Sequence, residues 1–453
     1  VSSPAPALSR GSSWPLVALF MAGYLAPYLL PTVVGRLGDR LGLGPAQAGL
    51  VGSALLLSSA TAGFTLAARV ERFGPRRLAR SGLLLAAFGY GCAALSDSVP
   101  VVVAGAIAGG FGSGTATTVA ASGIAAQRDP HRTSTFGLLS VSALAGVAYL
   151  TIPHLGSGHG LPFAAIALTA LLVWLATGRL AGAVAPGHTA APRGPLPYRR
   201  AGLVLAGSML FWSMAQNSLW GVSGRIGLDQ AGLSEVTVGA VFATALGTGL
   251  LGVIGASALG ARLGRALPIG AGTALIACCI AVSASADDLP SFATGEIAWN
   301  TVYPIVLSYL IGLAASLDPR GRWAVLAGSA SSLGTACGPL VGSLLSASAG
   351  YPAMGLVLGT GLLLLALPLT AVALHTGGRP IVPGAVRRRG GAPAAVVAAT
   401  TGTAAGTVPQ VGASEQPVVE IEVPVAGPAP DQQAFGTAGP RGLASVEAGP
   451  GTR

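Results

Sequence analysis

Residues 14–34, 48–68 and 355–374 each run about 20 residues without one charged side chain. A helix rises 1.5 Å per residue, so a run of that length crosses a hydrocarbon core of ~30 Å. Twelve apolar segments can be laid out in all, at about 14–34, 48–68, 81–96, 99–124, 134–154, 161–178, 201–222, 236–259, 267–285, 291–315, 323–347 and 352–374. Lipid satisfies no open backbone, and a barrel would show two-residue alternation, so each segment is expected to be a helix. Composition agrees. Only 9% of the 453 residues are charged, against roughly 25% in a soluble domain, too few to cover a water-facing surface. The expected fold class is an all-α, multi-pass membrane protein. Its first run is too long for a signal-peptide core and is expected to be a retained span.

The net charge of +10 could suggest a nucleic-acid partner, but its placement argues against one. All 25 basic residues are Arg, and they cluster between the apolar runs. With the N-terminus placed in the cytoplasm, 22 Arg fall on the cytoplasmic side and 3 on the outer side. The positive-inside rule therefore puts both termini in the cytoplasm and the chain in a cell (inner or plasma) membrane. The four cysteines lie in apolar runs with neither metal-ligand spacing nor a secreted-type framework, and buried thiols are expected.

The chain also repeats itself. Asp129-Pro130 and Asp318-Pro319 stand 189 residues apart, Gly74 and Gly264 stand 190 apart, and the first and seventh spans begin 187 apart. Three landmarks at nearly one offset indicate a duplicated six-helix unit. Six is even, so both copies keep one orientation across the membrane, a parallel repeat. The expected layout is an N-terminal tail (1–13), a six-helix bundle (14–183), a Pro/Gly-rich linker (184–200), a second bundle (201–374) and a disordered cytoplasmic tail (375–453).

Between the second and third spans lies "AARVERFGPRR". It resembles the signature Gly-x-Leu-Ala-Asp-Arg-x-Gly-Arg-Arg of the major facilitator superfamily, whose twelve-helix transporters the chain resembles over about 14–374. Glu71 takes the acidic position, and Arg72, Gly74, Arg76 and Arg77 match, while the leading Gly is Ala67. In the second copy Arg262, Gly264 and Arg265 match, but Ala261 replaces the acid. The resemblance implies a cytoplasmic latch whose charges change partners during transport. Gly74 itself suits a tight turn at a helix end. The plainer alternative is that these Arg residues only set topology.

Fourteen of the fifteen acids fall in loops, tails or span ends; the exception is Glu296. It lies six residues beyond Pro290, roughly 9 Å into the tenth span. Asn300 and Tyr303 follow on the same helical face. Desolvation disfavours the charged form of a carboxyl at that depth, the property a proton-coupled carrier requires; the alternatives are a counter-charge for a cationic cargo or a carboxylate in a wet vestibule. In the seventh span Trp212, Gln216 and Trp220 form a stripe at i, i+4 and i+8, with Asn217 beside it, and the first span carries Tyr24 and Tyr28, flanked by the bend-forming Pro27 and Pro31. The resemblance implies that the first, fourth, seventh and tenth helices line a central cavity. Tyr24, Tyr28, Trp212, Gln216, Asn217, Asn300 and Tyr303 are thus the expected substrate contacts, with interfacial belts as the alternative. Belts are the expectation for Trp14 and Trp323. The small residues of the fourth span point to close helix packing, and the Arg that many family members carry there is missing.

A membrane-embedded enzyme would need a converging catalytic set, and the five His residues scatter over loops and span ends. Without a Lys there is no phosphate-binding Gly-Lys-Ser loop. The expected function is a secondary transporter, proton-coupled, exporting a small drug-like or secondary-metabolite molecule, with no cofactor or metal, acting as a monomer. Uptake by proton symport and a transporter-fold sensor are the alternatives. The antiporter pattern of the family's fifth helix is not matched by "SALAGVAYLTIPHLG" here, so direction is not set by motif.

Overall fold

The computed structural model describes residues 13–127, 129–180, 195–259, 263–318 and 321–377. Among them there is no strand. The helices are α1 (Trp14–Tyr28), α2 (Leu30–Leu41), α3 (Pro45–Leu66), the single turn α4 (Val70–Phe73), α5 (Pro75–Leu95), α6 (Val99–Ala125), α7 (Pro130–Leu155) and α8 (Gly160–Ala176). After the linker come α9 (Arg199–Arg225), α10 (Glu235–Leu259), α11 (Ala266–Ala284), α12 (Leu289–Ser316) and α13 (Arg322–Gly377). Eight helices are long and apolar enough to cross a membrane singly, and the bent pair α1–α2 would make a ninth span. The other expected spans are α8, short at 17 residues, α9, interrupted by Ser, Gln and Asn, and the second arm of α13.

Two of these elements differ from the sequence reading. The first span breaks between Pro27 and Pro31 with a 40° bend, as the two prolines require, but the chain then continues as helix to Leu41. Arg36 and Arg40, expected in an outer loop, therefore ride on α2. The last two expected spans join at Gly350, whose φ of 81° and ψ of 167° are non-helical. The first arm of α13 runs parallel to α9, with Gly334 on Leu210 and Gly342 on Ser218. The second arm runs antiparallel to α11, with Gly355 on Ala284 and Gly270 on Thr370. Helix α12 lies antiparallel to both α9 and α11 (Trp212 on Tyr303, Gly295 on Ser283), so the arms of α13 oppose each other.

The small residues of α6 do pack. A Cβ added at Gly89 of α5 would fall 2.4 Å from the Gly109 backbone nitrogen of α6, so these two helices touch backbone to backbone. Outside, the bundle presents large apolar side chains: Phe88, Leu175 and Leu367 are each about 70% exposed. A water-soluble protein does not spread such side chains over its surface; here they meet lipid. The cysteines divide differently from expectation. Cys279 is buried, Cys92 and Cys337 are half-buried, and Cys278 is exposed on the outside of α11, because an apolar run in lipid has an outward face as well as a core face. Trp14 is 40% exposed, whereas Trp323, the other residue expected in a belt, is buried against Gly202 and donates its indole N–H to the Pro197 carbonyl at 2.7 Å. It anchors the approach to α9 instead.

Candidate functional site

Helix α12 carries Glu296 into the interior, where the residue is fully buried. Its Oε1 accepts from the Ser223 hydroxyl of α9 at 2.7 Å and the Ser283 hydroxyl of α11 at 2.6 Å. Its Oε2 is buried with no partner. Hydroxyls both donate and accept, so this pair of serines can hydrogen-bond a carboxylate or a carboxylic acid. The helix places the side chain among three elements of the second half of the chain. Asn300, one turn on, bonds back to the Glu296 carbonyl at 3.0 Å.

On the terminus-facing side of Glu296 lies a cavity of about 800 Å³. The first half of the chain contributes Tyr28, Leu138 and Ser142, and the second half Gln216, Asn217, Trp220, Trp299, Asn300 and Tyr303. None of its described lining residues is charged. Five of the expected contacts (Tyr28, Gln216, Asn217, Asn300 and Tyr303) thus reach one cavity. Tyr24 and Trp212 do not line it. Tyr24 packs against Phe20 with centroids 4.2 Å apart, and Trp212 stacks behind Tyr303 at 5.1 Å and 9°. Tyr24 and Tyr28, like Trp212 and Gln216, lie on nearly one helical face about 6 Å apart along the axis, so it is the packing around Tyr24 and Trp212, and not the turn of the helix, that keeps the first of each pair out of the cavity. Asn217 is tied down by bonds to the Ser213 carbonyl (2.9 Å) and the Thr335 hydroxyl (3.2 Å). The Trp299 indole N–H donates to Gln216 Oε1.

On the other side of Glu296 is a smaller hollow of about 420 Å³, lined by Thr32, Arg36, Tyr149, Gly224, Glu235 and Phe242 among others. Ser223, which holds the carboxyl, sits on α9 between Trp220 of the large cavity and Gly224 of the small one. Glu296 thus lies between two hollows and is sealed from both. Aromatic rings form the seal: Phe292, Phe242, Trp220 and Trp299 follow one another at centroid distances of 6.0, 5.3 and 5.7 Å. Beyond the hollow, Arg36 of α2 bonds Glu235 of α10 at 2.6 Å and the Gly158 carbonyl at 3.0 Å, and only 5% of its side chain is exposed. Deeper contacts between the halves include Trp220 Nε1 to the Pro27 carbonyl at 3.1 Å and the Leu340 amide to Ser53 Oγ at 2.9 Å.

A helical bundle split by an uncharged cavity, bolted together at one end, agrees with a family match. The family model for the Major Facilitator Superfamily matches residues 8–319, more than half of the chain. The chain belongs to the major facilitator superfamily. Solved members of this fold align along nearly their whole length. The human organic anion transporter MFSD10 (TETRAN) matches at 19% identity and a TM-score of 0.55, over 80% of this chain and 100% of that one. A POT family transporter in complex with 5-aminolevulinic acid gives 13%, 0.64, 80% and 96%. A bacterial homologue of the human lysosomal transporter Spinster, inward-facing and unoccupied, gives 15%, 0.56, 88% and 98%. At these identities the likeness is one of fold. No curated protein matches the chain.

The signature of this superfamily member is described in part. Gly74, between α4 and α5, has φ of 82° with nothing within 4 Å of a would-be Cβ. The residue is therefore required by the backbone turn and not by space. Gly264 repeats this at φ of 66°. Arg72, Arg76 and Arg77 are exposed, Arg265 bonds Ser316 at 2.5 Å, and the Glu71 side chain and Arg262 lie outside the described residues. Sequence reasoning missed Arg36, Glu235, Ser223 and Ser283. The one signal for Arg36 was its place among the three Arg on the Arg-poor side; two serines in apolar runs gave none.

Proposed function

We propose that this member of the superfamily is a proton-coupled secondary transporter that exports a small organic molecule by alternating access. Family membership supports transport. The observation that carries the coupling is Glu296, a fully buried carboxyl with one unpartnered oxygen, held by amphoteric hydroxyls between two hollows. A group placed so can take a proton from one hollow and release it to the other as the seal shifts. Export is favoured by the aromatic, uncharged lining of the large cavity, which suits drug-like or secondary-metabolite cargo arriving from the cytoplasm.

In this reading the two bundles span 14–183 and 201–374 and rock as a monomer about the cavity, both termini are cytoplasmic, and the membrane is the cell membrane. The Arg36–Glu235 end then faces outward and is closed, and the cavity belongs to an inward-facing state. Glu71 with Arg72, Arg76 and Arg77 closes the opposite end in the outward-facing state, with Arg262 and Arg265 as its weaker copy; Glu71→Gln should slow net flux without changing cargo affinity.

The deciding measurement is flux in inside-out vesicles under an imposed pH gradient. Cargo should accumulate when the lumen is acid, and Glu296→Gln should abolish that accumulation while leaving cargo-for-cargo exchange. Undiminished proton-driven accumulation in the variant removes Glu296 from the mechanism. Accumulation only in right-side-out vesicles with acid outside would make the protein an uptake symporter.

A further inference from the structure

The wall of the large cavity has a chemical polarity that its lack of charge conceals. An indole N–H can donate and cannot accept, so the Gln216 atom that meets Trp299 Nε1 must be the amide oxygen. The amide orientation is therefore fixed, and Nε2 with its two hydrogens points away from that bond. Gln216 is fully buried, lines the cavity, and its Nε2 has no partner. Two further groups nearby are left in the same condition. Tyr303 lines the cavity with an unpartnered hydroxyl, and the Trp212 indole N–H behind it is also unpartnered. Buried donors without acceptors are costly; Gln216 Nε2 has almost no accessible surface in this conformation, so a ligand oxygen reaches it only when the side chains around it give way.

Beside Gln216 the wall is largely aromatic, and the other two amides that line it, Asn217 and Asn300, already donate to the Ser213 carbonyl and Thr335 hydroxyl and to the Glu296 carbonyl. Trp220, Trp299 and Tyr303 form a run of ring contacts, 5.7 and 6.0 Å between successive centroids, that all face the cavity. A permanent charge on the cargo would find no counter-charge among the described lining residues, and unpaired charge in such surroundings is strongly disfavoured.

We infer that the cargo is an uncharged, planar ring compound bearing a carbonyl or comparable acceptor oxygen, which the Gln216 amide reads while the aromatic wall holds the ring. This rests on the cavity being the cargo site, as proposed above, but not on proton coupling. The test uses the purified full-length chain and a matched pair of probes, fluorenone and fluorene, which share a ring system and differ in the carbonyl. Binding is followed by quenching of tryptophan fluorescence, with a fluorenone bearing a trimethylammonium group as third probe. Fluorenone should bind several-fold more tightly than fluorene, up to about tenfold, the worth of one hydrogen bond. In Gln216→Leu that ratio should collapse towards one, through loss of fluorenone affinity alone, and the cationic probe should bind more weakly than fluorenone throughout.

Equal wild-type affinities, a ratio that survives Gln216→Leu, tighter binding of the cation, or no binding of either neutral probe would each overturn the inference. The wild-type comparison stands even if the variant fails to fold. Failure of the coupling proposal is separable, because Glu296→Gln would then retain proton-driven flux whatever the probe preference in detergent.

Discussion

The pairs Tyr24/Tyr28 on α1 and Trp212/Gln216 on α9 stand 188 residues apart, at corresponding places in the two copies of the repeat. In both copies the first member of the pair packs behind the cavity and the second lines it. The scaffold was thus duplicated faithfully, but the chemistry was not. At the Glu296 position the first copy offers the apolar Ala106 and Ile107, and the fixed amide and the ladder of rings belong to the second. One half supplies a wall of phenol and aliphatic groups; the other carries the polar and aromatic apparatus. The two halves thus correspond in where they place these side chains and differ in which side chains they place.

The sharpest way to break this comparison is to test whether coupling depends on the second copy alone. Glu296→Gln should lower pH-driven flux by at least about 100-fold, the low end of what a positioned proton-transfer group supplies. Ser142→Ala on the cavity wall of the first copy should leave the flux within a few-fold. Comparable losses from both would show that function is shared between the copies.

The repeated Asp-Pro turns give a second contrast. Asp129 is exposed and caps α7 by accepting from the Arg132 amide at 3.0 Å, whereas Asp318 is 2% exposed and pairs with Arg322 at 2.6 Å. Breaking a buried pair strands a charge, so Asp318→Ala should cost about 3 kcal/mol, against about 1 kcal/mol for removing the cap with Asp129→Ala. Thermal unfolding of the two variants side by side measures the difference, and equal losses would show that the echo in sequence is also an echo in role.

Third, the bolted end should open when its ion pair is cut. Arg36→Ala should favour opening by on the order of 2 kcal/mol, less than a wholly buried pair because Glu235 is 31% exposed. Reactivity of a cysteine placed at Thr32 towards a membrane-impermeant thiol reagent reads the change, and the exchange Arg36→Glu with Glu235→Arg should reverse part of it.

The smallest effect lies at the N-terminus of α12. The side-chain hydroxyl and then the backbone N–H of Ser291 hold the Asp288 carboxyl below the ordinary carboxylate range. A lowered folded-state value means that this stabilisation is present above the ordinary carboxylate value of about 4 and fades as pH falls through the folded one. Asp288→Ala should therefore lower the melting temperature slightly at neutral pH, with the gap to wild type closing in acid. A gap that persists in strong acid would rule out the charged cap.

Much of the candidate site was legible in the chain itself. An acid inside an apolar run is conspicuous because lipid penalises it, and polar or aromatic residues at helical spacing reveal a shared face, as with Gln216 four residues from Trp212. Spacing does not tell which member of the pair reaches the cavity, since the two share a face and differ by about 6 Å along the axis, and the neighbouring helices decide where along α9 the cavity ends. Nor does it reveal Ser223 and Ser283. A serine in an apolar run is cheap, as its hydroxyl can bond the preceding turn, so nothing marks the two that meet a carboxylate 73 and 13 residues away.

Sequence alone determined that the chain crosses a membrane as helices and that its two halves are copies in one orientation, because hydropathy, arginine placement and repeat offset are written along one dimension. Tertiary structure alone decided that Arg36 meets Glu235 across 199 residues, that Glu296 is sealed between two hollows, and that the Gln216 amide turns its hydrogens away from Trp299. Those facts depend on how helices rotate and lean against one another, which is set by close packing such as that between α5 and α6. Packing is a property of surfaces brought together, and no single segment carries it.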